Sequence, residues 1–233
     1  MAGVYGGNWV VPSNSRQNFK RKLLPDVTKL LQTHEELSPP GRGRRHLGHI
    51  TRSGVLSLCS AWELYIEDVT IECANFLVDT ADVPDALPDR VKGQLVKASK
   101  ADTHNFGVLK LCGSGWKDVY LETVTAHCNR LNTPKFGQIS SLLHDWLGVA
   151  EADLEAAWSN PRESLNSFVT LRGEIAHRGA DAEYVRRDCL SGYVDMIDQF
   201  TIDTDNFLRY HISSIMTENR SPWNRIPLLH HQA

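Results

Sequence analysis

Apolar residues recur at three- and four-residue steps along most of this chain, and the alternation a strand needs never holds for long. The first such stretch runs from about Ser15 to Glu36, with Phe19, Leu23, Leu24, Val27, Leu30 and Leu31 on one face and Pro25 early in it. SPPGRGRRHLGH stops it, because a helix interior tolerates glycine at a cost of ~1 kcal/mol and proline at ~3. A second helix over about Thr51 to Asp79 carries Val55, Leu58, Cys59, Trp62, Tyr65, Ile66, Val69, Cys73 and Phe76 as a core-facing stripe. Breaks at Pro84 and Pro88 precede a more polar helix over about Asp89 to Ala101, and GSGW (Gly113 to Trp116) marks another turn. Helices then follow at about Lys117 to Leu131, Phe136 to Trp146 with Gly148 as C-cap, and Glu151 to Trp158.

The next helix has a clear start: Asn160 as cap, Pro161 at the first helical position and Glu163 three residues after the cap. It runs to about Arg178, where Gly179 ends it. A long closing helix spans about Asp181 to Glu218, with a weak point or kink expected at Thr201, Asp203, Thr204 and Asp205. The tail SPWNRIPLLHHQA reads as irregular. The pattern predicts an all-α protein, an antiparallel helical bundle with an extra N-terminal helix and peripheral short helices. Its expected divisions are an N-terminal helix and basic loop (1–45), a helical domain (46–219) and a tail (220–233).

One stripe is interrupted. On the capped helix Leu165, Phe168, Val169, Ile175 and Ala176 line one face, and Arg172 falls inside it. A guanidinium buried without a partner is costly, so Arg172 either pairs with a carboxylate across the bundle or faces a cleft or subunit interface. Glu63 of the second helix is the nearest candidate partner in pattern, as a fold-stabilising ion pair or as the group that orients Arg172; the structural role is favoured. His177 follows five positions later, on the last turn. There it complements the helix dipole or acts in chemistry.

The arrangement RGEIAHRG (Arg172 to Gly179) at the end of a helix, with AWELYIEDV (Ala61 to Val69) in the second helix, resembles the HEPN family and its RiboL-PSP-like branch. The likeness covers roughly Thr51 to Glu218. It implies a metal-independent endoribonuclease acting as a homodimer in toxin, abortive-infection or antiviral defence, with an antitoxin or regulatory partner. Arg172 and His177 match the family's catalytic pair. Most active members carry a polar residue directly after the arginine, where this chain has Gly173, and some members serve as binding or oligomerisation modules. The alternative implied is therefore a non-catalytic HEPN-like module associated with a nucleotide-handling partner.

The chemistry stands on its own terms. RNA is cleaved without metal when its 2'-hydroxyl attacks the adjacent phosphate. That needs a group moving protons near neutral pH, and a fixed cation on the phosphorane. Five residues on an ideal helix separate two side chains by about 140° and ~7.5 Å, so one copy makes a poor dyad and two copies meeting at this helix make a better one.

Composition narrows the rest. The 233 residues carry a net charge of −3, which argues against a surface coated in basic charge. Local basic groups remain: Arg178 beside the motif, and Arg42, Arg44 and Arg45 in GRGRRHLGH, either contacting an RNA backbone or forming a solvated loop. No apolar run approaches the ~20 residues of a membrane span, and no secretory signal is visible. Cys59, Cys73, Cys112, Cys128 and Cys189 form no CxxC pair and read as small core residues in a reducing cytoplasm. The histidines show no metal-ligand spacing, and no phosphate-cradling glycine motif appears, so neither a metal nor a cofactor is expected.

Overall fold

A computed structural model describes residues 11–38, 47–101, 107–216 and 220–227. Its helices are α1 (Asn14–Asn18), α2 (Leu24–Glu36), α3 (Gly48–Thr80), α4 (Asp89–Ala101), α5 (Gly115–Cys128), α6 (Phe136–Leu147), α7 (Glu151–Ala157), α8 (Arg162–Arg178) and α9 (Arg187–Ile215). The described residues contain no strand, so the fold is all-α as the apolar periodicity requires.

The central element is α3, whose Trp62, Tyr65, Ile66, Val69 and Leu77 are fully buried. It packs against α2, α5, α6, α8 and α9. Tyr65 donates to the Thr201 carbonyl at 2.9 Å, Thr80 reaches Met216, and a Cβ added at Gly54 would run into Leu190. These three contacts share one numbering offset, so α3 and α9 run parallel, and Gly54 sets their close approach. The first helical segment is antiparallel to both: Ser15 and Asn18 meet Glu72 and Asp68 of α3, while Arg16 and Glu35 meet Asp198 and Arg187 of α9.

Pro25 explains how that segment is built. Between α1 and α2 the chain winds as a π-helical turn, Phe19–Leu23, in which the Leu24 N–H reaches back to the Phe19 carbonyl. The wider turn lets α2 restart with Pro25 in its first turn, where the missing N–H costs nothing. Phe19 and Val27 enter the common core.

Several expectations change. Asn160 does not cap α8: Pro161 occupies the cap position (φ −61°, ψ 138°) and the helix starts at Arg162. The Glu163 carboxylate takes its own backbone N–H instead, which holds it below its ordinary pKa and puts negative charge at the dipole's positive end. Gly179 (φ +56°) ends α8 and Gly148 (φ +71°) caps α6 as expected. The closing helix begins at Arg187 rather than Asp181, because a short turn, Gly179–Asp181, and an extended stretch burying Ala182 and Val185 carry the chain between helices.

The expected weak point near Ile202 does not break the helix, since α9 is continuous there. Thr201, Asp203, Thr204 and Asp205 are buried and used: Asp203 accepts from the Ser159 N–H at 2.7 Å, Thr204 from the Trp158 indole at 3.0 Å, and Asp205 from Ser13. Satisfied polar groups of this kind tie a bundle together rather than weaken it. Cys59, Cys73 and Cys128 are buried, whereas Cys112 and Cys189 are exposed and lie outside the core.

Candidate active site

The end of α8 carries Arg172, Gly173, His177 and Arg178. Leu165, Phe168, Val169 and Ile175 are buried against the bundle, while Ala176, expected beside them, is exposed. Arg172 sits at the margin of that stripe with 27% of its side chain exposed. Its Nη2 donates to Glu63 Oε2 at 3.2 Å and to the Asn132 carbonyl at 3.1 Å. One guanidinium thus fastens α8 to α3 and to the loop before α6. That loop is itself held by the Trp62 indole on the Pro134 carbonyl (3.1 Å) and by Asn166 on the Phe136 N–H (3.0 Å).

The α3 side of the site is a row at four-residue spacing, Cys59, Glu63 and Glu67. Burial pushes the Cys59 thiol up, and the Arg172 guanidinium opposes it. Burial likewise raises the Glu63 carboxyl against the pull of Arg172. Glu67 is pushed up to about 7, first by burial and then by the like charges of Glu63 and Asp68. Sequence reading singles out Glu63 and passes over Glu67, Cys59 and the Asn132 carbonyl. The four-residue step from Glu63 to Glu67 is the available signal; a backbone carbonyl leaves none.

His177 and Arg178 are both exposed on the last turn. No hydrogen bond joins Arg172 to His177 among the described residues, in keeping with their positions on different faces of α8. Concavities of about 390 Å³ between α7 and α9 and about 530 Å³ between α1 and α3 are lined by other residues. Gly173 has nothing within 4 Å of the place a Cβ would occupy. Arg42, Arg44 and Arg45 lie outside the described residues. Among the described residues no three His, Cys, Asp or Glu side chains converge as metal ligands, and no helix is long and apolar enough to cross a membrane.

The sequence model of RiboL-PSP-HEPN matches residues 18–210, a span that includes Glu63, Arg172 and His177. The chain belongs to the RiboL-PSP-HEPN family. The matched span reaches from the last residue of α1 to Tyr210 of α9, so it includes the helices that hold Arg172 in place. HEPN membership gives the chain an RNA-related, nuclease-like frame. No curated protein and no solved structure matches it.

Proposed function

We propose that this RiboL-PSP-HEPN protein is a metal-independent endoribonuclease acting in the cytoplasm as a toxin or antiviral defence effector. The observation that carries the reading is the setting of Arg172. It is anchored at two points yet more than a quarter exposed, about one helical turn before an exposed His177, in a chain of this family. In this reading two copies meet at α8 and pool their Arg172 and His177 side chains. One His177 takes the proton of the attacking 2'-hydroxyl, Arg172 binds the charge that grows on the phosphorane, and His177 of the partner subunit protonates the departing 5'-oxygen. The products are a 2',3'-cyclic phosphate and a 5'-hydroxyl. Arg178, exposed beside His177, contacts a flanking phosphate. An antitoxin or regulatory partner restrains the activity in the cell.

The test is incubation of the wild type, Arg172→Ala and His177→Ala with total RNA and tRNA in EDTA, alongside expression of each in cells. The expected result is cleavage and toxicity from the wild type, with each variant reduced by roughly 10²–10³-fold and still folded. A folded wild-type dimer that neither cuts RNA nor slows growth overturns the proposal.

A second reading has one observation in its favour. The Glu63–Arg172 ion pair is also what a structural tie looks like, and Gly173 supplies no polar side chain beside it. A non-catalytic HEPN-like module that assembles with a nucleotide-handling partner would use the same pair to hold its interface helix. That reading expects an intact dimer and uncut RNA for every variant.

A further inference from the structure

The cleft of about 390 Å³ between α7 and α9 lies near the start of α8, away from Arg172, and its lining pairs aromatic rings with arginines. Phe207 and Tyr210 stand one turn apart on α9, and Tyr210 is 70% exposed. A large aromatic side chain this open offers a π-face to solvent. Two guanidinium groups flank the rings. Arg209 donates from Nε to the Trp223 carbonyl at 2.8 Å, and no bond among the described residues occupies its two terminal nitrogens. Arg225 is exposed, on a segment whose backbone is pinned on both sides of it. The Asn224 N–H reaches the Val11 carbonyl at 2.9 Å, and Asn206 clamps Ile226 through both its oxygen and its nitrogen (2.8 and 3.1 Å).

Asp203, the one acid lining this cleft, is outnumbered by the two arginines. Asp203 commits one carboxylate oxygen to the Ser159 N–H (2.7 Å) and the other to the Gln199 amide (2.8 Å), both inside the fold. What remains accessible is an aromatic ledge with two cations, in a chain whose net charge is −3. That combination matches a nucleic-acid strand: bases stack on aromatic faces and arginines meet the phosphates.

We infer that the Phe207–Tyr210–Arg209–Arg225 cleft is a subsite for single-stranded RNA, stacking a base on Tyr210 and holding adjacent phosphates on the two arginines. The inference rests on the ribonuclease reading, and gives that enzyme a grip on its substrate distant from the bond it cuts. Arg172 lies ~15 Å along α8 from the helix start that borders this cleft. A bound strand of about four nucleotides or more, the usual extent of a single-strand site, reaches that far.

The experiment measures binding rather than cleavage. A fluorescein-labelled twelve-residue oligouridylate is titrated with His177→Ala protein, which leaves the strand uncut, and binding is followed by anisotropy across a salt series. Adding Tyr210→Ala is expected to weaken binding about 5- to 100-fold, while Tyr210→Trp restores it to within about twofold of the parent. Adding Arg225→Ala is expected to weaken binding and to lower the salt dependence by about 0.7 in log–log slope, the value of one single-strand phosphate contact. Both side chains are exposed, so folding is unaffected. Parent protein that does not bind the strand, or variants that bind as the parent does, overturn the subsite. A wild type that binds through Tyr210 but never cuts overturns the nuclease and leaves the subsite standing; one that cuts with unchanged variant binding does the reverse.

Discussion

Two arginines of this chain each reach a carboxylate on a neighbouring helix and finish in opposite settings. Arg16 lies 2.6 Å from Asp198 with only 6% of its side chain exposed, over the Phe19 ring, and its Nε and Nη1 are buried without a partner. Arg172 lies 3.2 Å from Glu63, shares its bond with a backbone carbonyl and keeps 27% of its side chain in reach of solvent. The first forms its ion pair at the cost of heavy desolvation, and it can do little except lock α1 onto α9. The second is fixed in place but still presents charge to anything that approaches α8. An arginine on a helical seam is therefore ambiguous until its uncovered side is known, and that side is what separates a tie from a site.

The contrast breaks most visibly under truncation. Arg16→Ala is expected to lower the free energy of unfolding by about 3 kcal/mol, the usual loss when one partner of a sealed pair is removed. Lys20, 2.9 Å from Asp198, keeps the remaining carboxylate from being wholly unpaired. Arg172→Ala should cost about 1 kcal/mol or less, since its pair is partly solvated. Urea denaturation of both variants measures the difference. Equal losses would mean that Arg172 is a structural group like Arg16 and would remove the physical basis for the candidate site.

The buried pole also carries a pH dependence of its own. Burial pushes Asp205 up to about 6, against the opposing hydrogen bonds of Ser13 and the charge of Arg16, with Glu72 adding to the rise. A carboxyl raised in the native state keeps a proton that the unfolded chain has already lost. The contribution of this group to stability is then highest below the unfolded value near 4 and falls as pH rises toward about 6, by of order 3 kcal/mol for a shift of this size. Unfolding measured at intervals from about pH 4 to pH 7 should show that decline in the wild type and a flatter profile in Asp205→Asn. Glu63→Gln, at the solvated pole, should leave most of the decline in place. An unchanged slope in Asp205→Asn would assign the titration to another acid, with Glu67 next in line at about 7.

Most helices are legible in the sequence because each buries one face, and a three-and-four stripe such as Val55 to Phe76 in α3 reports that directly. The polar run at Thr201 to Asp205 misleads for the converse reason. Propensity treats threonine and aspartate as helix-weakening, while their partners Tyr65, Ser13, Trp158 and Ser159 are distant in sequence and visible only in the fold. The start of α8 slips by one residue because Glu163 satisfies its own backbone N–H and leaves Asn160 without a role. At the site, Arg172 stands out as a charge within an apolar stripe, and Glu63 follows as the carboxylate across from it. The Asn132 carbonyl and the aromatic–arginine cleft on α9 carry no such signal, since a loop backbone and an exposed tyrosine look ordinary one residue at a time.

The smallest expected effect is the sharpest on geometry. Gly173, in the interior of α8, and Gly192, exposed on α9, both have nothing within 4 Å of the position an added Cβ would take. Replacing a helix-interior glycine by alanine gains about 1 kcal/mol through backbone entropy alone, so within one chain the two substitutions should stabilise equally. If two copies meet at α8, they cease to be equivalent. A glycine beside Arg172 lets a second backbone come close, and a Cβ there holds it away. Gly192→Ala should then raise the unfolding midpoint and leave the dimer untouched. Gly173→Ala should raise the midpoint of the separated chain while weakening dimerisation about tenfold, equivalent to ~1.4 kcal/mol, with RNA cleavage falling in step. Sedimentation across a concentration series reads the first effect and the RNA assay the second. If Gly173→Ala behaves as Gly192→Ala does in both, the copies do not meet on this face of α8, and a composite Arg172–His177 centre has no interface to form in.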